Sequence, residues 1–325
     1  MVASAGAPVA WQELEVDVAG ERRAARADVG LVGPCEVGDE LVVNVEAKEL
    51  ALGSGGFDVV YANLSRGLDG AGAPAAHVMK LNYSPLQHAV LPVEGEELSV
   101  PLGRPVAVFQ LHGQLAPLAW ALAQARPGIK AGYVQTAGGA LPGALSETVR
   151  ELRGRNLLVD HVTAGPCYGG EREAITTAGA IHDGLAVRAW DAALVGPGPG
   201  ILGSGSALGH GGIVALDSAH AALALGCPTV LAARMSEGDP RARHRGLSHH
   251  TRTVLQLLLA PVTVALPPGE AAFDAGRHEV RELEVDLDGY RASGLPAHTM
   301  GRELEEDRLF FAAALAAGAA LGELA

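Results

Sequence analysis

The sequence predicts an α/β protein in which a small all-β, barrel-like domain precedes a doubly wound, mostly parallel sheet. Two observations predict this fold class. Short alternating segments, separated by Gly and Asp turns, fill the N-terminal part of the chain. Beyond "PLGRP" (101–105), apolar strand-like segments alternate with helical ones. Because 325 residues is the length of about two domains, we place the β domain at 1–100 and the α/β domain at 101–325.

The N-terminal segments have the period of two that is typical of strands. In "WQELEVDV", apolar Trp11, Leu14, Val16 and Val18 alternate with polar residues, with one slip. Further strands are predicted in "VGDELVVNVEA", "FDVVYANL", "HVMKLNY" and "HAVLPVEG", with a Gly/Ala/Pro stretch at 67–74 among them. Short strands at such close spacing are typical of a small barrel or sandwich.

Six apolar strands are predicted in the second domain: "VAVFQLHG", "IKAGYVQTAGG", "LLVDHVTAG", "DAALVG", "PTVLAARMS" and "PVTVALP". Helical segments lie between them, and the chain ends in the predicted helix "RELEEDRLFFAAALAAGAALGELA". This alternation predicts parallel strands with helices on both faces, a Rossmann-like arrangement. Ligands of such sheets bind beyond the carboxyl ends of the strands, so the segments that follow each strand are where we expect the site.

Composition and charge restrict the partners. Hydrophobic residues at 48% and charged residues at 19% are typical of a folded globular chain. A net charge of −13 repels nucleic acid and anionic lipid. The longest uncharged apolar run, "LFFAAALAAGAALG", is too short to span a bilayer, and the N-terminus lacks the pattern of a signal peptide. We expect a cytoplasmic protein that binds neither nucleic acid nor membrane, and the sequence leaves homo-oligomerisation open.

The stretch "GPGPGILGSGSALGHGG" (196–212) follows the fourth predicted strand of this domain. It contains G-x-G-x-x-G, but the helix does not start at once and no acidic residue ends the next strand, so the dinucleotide fingerprint is incomplete. The phosphate-loop pattern also fails, because Ser206 stands where lysine is required. A non-standard anion loop and a plain connection both remain open. The predicted ligand contacts in this stretch are Gly198, Gly200, Gly203, Ser204 and Gly205.

The segment "GDPRARHRGLSHHT" (238–251) places three arginines and three histidines together at a predicted helix start. Ser248 is the predicted N-cap, with unpaired amide donors behind it, and arginine binds phosphate or carboxylate with two parallel hydrogen bonds. Adjacent His249 and His250 would point about 100° apart on a helix, so we expect one to act as acid or base while the other packs. The predicted catalytic residues are His249, His250, Ser248 and Asp239, and the predicted ligand-binding residues are Arg241, Arg243, His244 and Arg245.

Other predicted ligand contacts lie after two further strands and in the N-terminal domain: Gly138, Gly139, Gly169, Gly170, Glu171 and Lys80. Cys35, Cys167 and Cys227 are far apart and form no zinc-binding pattern. None of the twelve histidines, nor Asp217, Asp239 or Glu171, lies in an H-E-x-x-H, H-x-H or D-x-D pattern. The sequence therefore predicts no metal site, and these residues would form one only by convergence in space. The sequence leaves the cofactor unknown.

The order of these motifs resembles that of a known family. "GSGGFDVVYANL", "HVMKLNYSPLQ", "GGALP", "GPGPGILGSGSALGHGG", "DPRARHRGLSHHT" and "HTMGRELEEDRLFFAAALAAG" together resemble the uncharacterised bacterial domain-of-unknown-function family numbered 3866. The resemblance spans about residues 10 to 320 and carries over no activity, substrate or residue roles.

From the residues themselves we expect an enzyme, a hydrolase or group transferase, that acts on a small anionic, phosphorylated or nucleotide-like ligand at the carboxyl ends of the strands. Hydride transfer fits less well, because the dinucleotide fingerprint is incomplete. The alternative is a non-catalytic protein that binds a metabolite, or regulates, through the same residues. A third interpretation is a structural subunit whose apolar C-terminal helix docks onto a partner.

Overall fold

The computed structural model describes residues 1–50, 56–67, 76–271 and 273–325. The chain forms two compact units, Met1–Leu91 and Pro92–Ala325. Most of the predicted Gly/Ala/Pro stretch at 67–74 lies outside the described residues. In the part of the chain that the structure describes, no helix combines the length and apolar character needed to cross a bilayer.

The N-terminal unit is built on a five-stranded, mostly antiparallel sheet with the order β1-β2-β3-β5-β4. Backbone hydrogen bonds join Val2 to Gly38 and Asp39, just before β4, so the two edges of the sheet approach each other as in a barrel. The side chains of Leu14 and Val16 are buried inside, as the alternating pattern predicts. The elements are β1 (Val2–Ala5), β2 (Trp11–Val18), β3 (Glu21–Asp28), α1 (Val29–Val32), β4 (Leu41–Asn44), α2 (Glu46–Glu49), β5 (Asp58–Asn63) and the hairpin β6 (Val78–Lys80) and β7 (His88–Val90).

The C-terminal unit contains an eight-stranded sheet in which every neighbouring pair is parallel. Its strands are β8 (Val106–Val108), β9 (Ala131–Thr136), β10 (Asp160–Ala164), β11 (Arg172–Ala174), β12 (Ala192–Pro197), β13 (Thr229–Ala232), β16 (Thr263–Leu266) and β17 (Glu279–Glu282). Their order is β11-β10-β9-β12-β8-β13-β16-β17. The predicted α/β class with a parallel sheet is confirmed, and all six predicted strands are present.

Helices cover both faces of this sheet. One hydrophobic core packs α3 (Leu115–Ala125), α4 (Glu147–Gly154), α8 (Leu287–Ala292) and α9 (Arg308–Leu324) against one face. The other core packs α5 (Thr177–His182), α6 (Val214–Ala224) and α7 (His249–Leu257) against the opposite face. Two small antiparallel pairs complete the unit: β14 (Met235–Ser236) with β15 (Gly246–Leu247), and β18 (His298–Thr299) with β19 (Arg302–Glu303).

Two expectations about the helices were wrong. The segment predicted as a helix from residue 172 starts as the edge strand β11, because it pairs with β10. The final helix α9 starts at Arg308, and the acidic residues Glu303, Glu305 and Glu306 form a capping turn before it. The apolar side chains of Phe310, Phe311 and Leu315 in this helix are buried in the core of the same unit.

Candidate functional site

The candidate site lies where the loops after β12 and β13 meet. These two strands flank β8 at the centre of the sheet, so the carboxyl ends of all three strands lie together. Gln110, two residues beyond β8, is fully buried, and its side-chain oxygen accepts a hydrogen bond from Thr251 of α7 at 2.7 Å. This bond ties the end of β8 to the start of α7.

The glycine-rich stretch after β12 folds back on itself and presents His210. Gly203 pairs with His210 in an antiparallel bridge, and Gly211 donates its backbone N–H to Leu202 at 2.7 Å. Ser204 bonds Gly209 through both its backbone N–H and its hydroxyl. The resulting small hairpin places His210 at the start of the turn that leads into α6, and the sequence did not single out this histidine.

Several glycines near this hairpin are required by close backbone packing. A Cβ on Gly211 or Gly138 would overlap the backbone of the other residue, and a Cβ on Gly139 would overlap the carbonyl oxygen of Gly198. By contrast, Gly200, Gly203 and Gly205 have open space where a Cβ would lie. The loops after β9 and β12 are therefore held together by glycine contacts, and the contact of Gly198, Gly138 and Gly139 with a ligand stays a prediction.

The loop after β13 is anchored by two buried carboxylates. Asp239 is fully buried and accepts two hydrogen bonds from the guanidinium of Arg241, the shorter at 2.7 Å. Arg234 and Arg302 also approach Asp239, at 3.7 and 3.6 Å. Burial alone would raise the pKa of Asp239, but the hydrogen bonds and charge of Arg241 hold it well below its usual range. A carboxylate engaged in this way is suited to positioning the loop.

Asp307 is the second anchor. Its carboxylate accepts a hydrogen bond from the hydroxyl of Ser236 at 2.6 Å, from the backbone N–H of Glu237 at 2.9 Å and from Arg302 at 3.0 Å. Ser236 in turn accepts the backbone N–H of Asp239. The chain just before α9 thereby fixes the turn that starts the Arg/His segment.

Ser248 is the N-cap of α7 and accepts the backbone N–H of His250. Its hydroxyl also lies 2.8 Å from Nδ1 of His244, which belongs to the short helical turn before β15. The cap therefore holds His244 beside the first turn of α7, where His249 and His250 lie.

Four imidazole rings meet at this point, and we call them the histidine cluster (His210, His244, His249 and His250). The rings of His210 and His250 are stacked with centroids 3.5 Å apart. The ring of His249 lies 4.4 Å from that of His250 and 4.9 Å from that of His244. The side chains of His210, His244 and His250 are buried, and His249 is half-buried.

The rings of His249 and His250 converge, although adjacent side chains on a helix were expected to point apart. One ring nitrogen from each of His210, His249 and His250 lies within 4.8 Å of the others. Neighbouring side chains diverge around a helix axis, but these two stand in the first turn, and their rings converge on His210 beyond the helix. The convergence in space that a metal site would need is thus present in the described residues.

The histidine cluster is neutral near pH 7. Burial, reinforced by the charge of Arg234, lowers the pKa of His244 to about 3 and that of His250 to about 2. Burial likewise lowers the pKa of His210 and of His249. Neutral imidazole is the form that accepts a proton or binds a metal.

Several buried polar atoms around the cluster have no hydrogen-bond partner among the residues that the structure describes. On the cluster these are Nδ1 of His210 and Nε2 of His249. Beside it are two buried donors without an acceptor among the described residues, Nε2 of Gln110 and Nε of Arg234. Buried polar atoms are rarely left unpaired in folded proteins, so this group of atoms indicates a place where a ligand binds.

A second polar group at the same end of the sheet is fully paired. Nε2 of His112 lies 2.7 Å from the hydroxyl of Ser146, the N-cap of α4, and Nδ1 lies 3.2 Å from the carbonyl oxygen of Pro197. His161 stacks on Tyr133 and lies 3.2 Å from Gln135. Because these atoms satisfy one another, we assign them a structural role.

The remaining predicted residues are less closely associated with the cluster. Glu171 forms a two-bond ion pair with Arg153 and, with Gly169 and Gly170, follows β10, which β9 separates from β12. Lys80 lies on β6 of the N-terminal unit. Arg243 and Arg245 are exposed, and Arg245 donates to the backbone oxygen of Asp239. Their contact with a ligand stays a prediction.

Sequence reasoning missed His210, Gln110 and Arg302 as members of the site. The sequence offers one signal for His210. In "LGHGG" this histidine lies between glycines and does not belong to an apolar pattern that would predict a place in the core. Gln110 and Arg234 stand at the carboxyl ends of predicted strands. The sequence therefore places both at that edge of the sheet, but it does not show which residues they contact.

The family comparison agrees with the extent of the sequence resemblance. A family model described as "Protein of unknown function (DUF3866)" matches residues 25–318, which includes every residue of the histidine cluster. No curated protein and no solved structure matches the chain.

Proposed function

The chain belongs to the family of proteins of unknown function DUF3866, and from its site we propose that it is an enzyme, a hydrolase or group transferase, for a small anionic ligand. The observation that carries this proposal is the set of buried, unpartnered nitrogens on Gln110, Arg234, His210 and His249 at one end of the sheet. Donor and basic nitrogens lie side by side there, as binding and proton transfer to one ligand require.

The charges around the cluster favour an anion. Arg234, Arg241 and Arg302 approach the single carboxylate of Asp239, and only Arg302 also bonds Asp307. Three guanidinium groups thus share two carboxylates, which leaves an excess of positive charge. Arg241 is exposed, whereas Arg234 is buried. The unpartnered Nε of Arg234 and Nε2 of Gln110 are donors for the oxygens of a phosphate or carboxylate.

The neutral imidazoles provide the chemistry. His249 is half-buried, so its ring is the member of the cluster most open to a ligand. Its unpartnered Nε2 would take a proton from an attacking water or hydroxyl group. The ligand class is thus a small anionic ester, either of phosphoric acid or of a carboxylic acid that keeps one free carboxylate.

The test uses two anionic esters, p-nitrophenyl phosphate and mono-p-nitrophenyl succinate, as probes on the full chain, with and without Zn²⁺. We expect turnover that falls at least about 100-fold in His249→Ala, whereas His298→Ala, an exposed histidine on β18, leaves it unchanged. Binding of inorganic phosphate should weaken in Gln110→Leu but not in Gln124→Leu, which alters an exposed residue of α3. Equal turnover of wild type and His249→Ala would refute the catalytic assignment.

The alternative function is a non-catalytic protein that binds an anionic metabolite. The burial of His210, His244 and His250 favours it, since these rings are enclosed by protein. Phosphate binding that depends on Gln110, together with no turnover of either ester, would establish this alternative in place of the enzyme.

A further inference from the structure

We propose that His210, His249 and His250 bind one divalent first-row transition-metal ion, with zinc as the expected metal. The inference concerns the site of the proposed function, but its test below does not depend on turnover. The three rings come from the loop after β12 and from the first turn of α7, and bring one ring nitrogen each to within 4.8 Å of the others.

The ligand set is selective by its chemistry. Three neutral imidazoles suit zinc, copper, nickel or iron, whereas calcium and magnesium prefer oxygen ligands. A zinc–nitrogen bond is about 2.0–2.1 Å, so tetrahedral ligands stand about 3.3 Å apart. The observed nitrogens lie within 4.8 Å of one another. Because the rings of His210 and His250 are stacked and nearly parallel, and the lone pair of an imidazole nitrogen lies in the plane of its ring, one of these two rings must turn out of the stack to bind the ion.

His210 is already oriented as a ligand. Its Nε2 lies 3.0 Å from the carbonyl oxygen of Ala207, and because a carbonyl only accepts, Nε2 carries the proton. Nδ1 therefore presents its lone pair, and this buried atom has no partner in the protein. A backbone carbonyl on the far nitrogen is the usual means of fixing a metal-binding histidine.

The second and third ligands differ in their present partners. Nε2 of His249 is buried and unpartnered. Nδ1 of His250 accepts a hydrogen bond from Arg234 at 2.7 Å, which places the ring proton on Nε2. To bind the ion through Nε2, His250 must move that proton to Nδ1, and Arg234 must then turn away toward Asp239, whose carboxylate lies 3.7 Å from it.

Three protein ligands leave the fourth position of a tetrahedral zinc ion for water or a substrate oxygen, the arrangement of catalytic zinc sites. The surplus guanidinium charge beside the cluster would draw an anionic ligand to that position. An ion at this point would also lower the pKa of its bound water and so supply the nucleophile for hydrolysis. In the metal-bound protein this replaces proton removal by Nε2 of His249, because that nitrogen then binds the ion.

The test is metal binding by the full chain, measured without substrate. The protein is stripped with EDTA, titrated with Zn²⁺ against a chelator of known affinity, and titrated separately with Co²⁺, whose visible bands report tetrahedral nitrogen ligands. We expect one ion per chain. Affinity should fall at least about 100-fold in His210→Ala and in His249→Ala, and stay unchanged in His298→Ala.

Circular dichroism and thermal unfolding check that each variant folds. If His210→Ala does not fold, His249→Ala decides the question, because His249 is half-buried at the start of α7. Less than one ion per chain, or full affinity in folded His249→Ala, would overturn the metal site. Stoichiometric zinc without turnover refutes only the enzyme, and turnover by a chain that binds no zinc in the titration refutes only the metal site.

Discussion

The imidazole rings of His210 and His250 stack with their centroids 3.5 Å apart and their planes 4° from parallel. The two residues come from different loops, one after β12 and one after β13. Two charged imidazolium rings would repel each other at this distance, so the stack requires neutral rings. The contact therefore depends both on the path of the glycine-rich hairpin and on the protonation state of the cluster.

The path of that hairpin depends on Gly211. A Cβ at this position would overlap the carbonyl oxygen of Gly138, which is backbone and has no other rotamer. We expect Gly211→Ala to reduce the free energy of unfolding by about 1–3 kcal/mol. Gly205→Ala is the matched control, because open space surrounds its Cβ position, and should change stability by less than about 0.5 kcal/mol. Urea unfolding measures both, and equal stabilities would contradict the packing argument.

The buried carboxylate of Asp239 is expected to stabilise the loop after β13. Asp239→Asn removes the charge that Arg241 and the buried Arg234 face, so the free energy of unfolding should fall by about 3–5 kcal/mol. The control is Glu305→Gln, which breaks an exposed ion pair with Arg291 and should cost less than about 1 kcal/mol. Urea unfolding at constant ionic strength compares them. A loss in Asp239→Asn no larger than in the control would show that the carboxylate is dispensable.

Stability should fall in mild acid because of His112. Burial lowers the pKa of this ring to about 4 from the ordinary 6.5, so the unfolded chain binds a proton that the folded chain does not. The stabilisation is present above pH 6.5 and is lost as the pH falls toward 4. Between pH 7.5 and 5.0 this amounts to about 2 kcal/mol.

The measurement is urea unfolding of the wild type and of His112→Gln at both pH values. Other buried histidines contribute to the total loss in both proteins, so the difference between the two losses isolates His112. We expect the variant to lose about 2 kcal/mol less than the wild type. The same loss in both would mean that His112 does not contribute.

The contact between α3 and α9 should tolerate no side chain at Gly318. A Cβ there would overlap the carbonyl oxygen of Leu118 and lie 2.8 Å from the Cβ of Ala121. Gly318→Ala should therefore destabilise the protein, although alanine is the better helix former. Gly154→Ala, at the open end of α4, should be neutral or stabilising by up to about 1 kcal/mol. Thermal unfolding shows whether each variant loses or gains stability relative to the wild type. A Gly318→Ala variant as stable as the wild type would contradict this packing.

The sequence predicted the sheet well because burial on both faces makes parallel strands continuously apolar, as in "VAVF" and "DAALV". It missed the edge strands β11 and β17, whose exposed faces carry polar residues such as Arg172 and Glu279. The capping role of Ser248 was also readable, since an N-cap depends on local hydrogen bonds.

The sequence by itself determined the α/β class, the parallel sheet, the small N-terminal sheet and the segments that follow each strand. The tertiary structure alone decided which of those segments meet. Strand order places β12 and β13 on either side of β8, and this order is set by the packing of helices far apart along the chain. His210 and His250 are 40 residues apart in the chain, and no local sequence pattern predicts their contact. Residue spacing specifies which face of one helix or strand a side chain occupies, but it does not specify which elements are neighbours in a sheet.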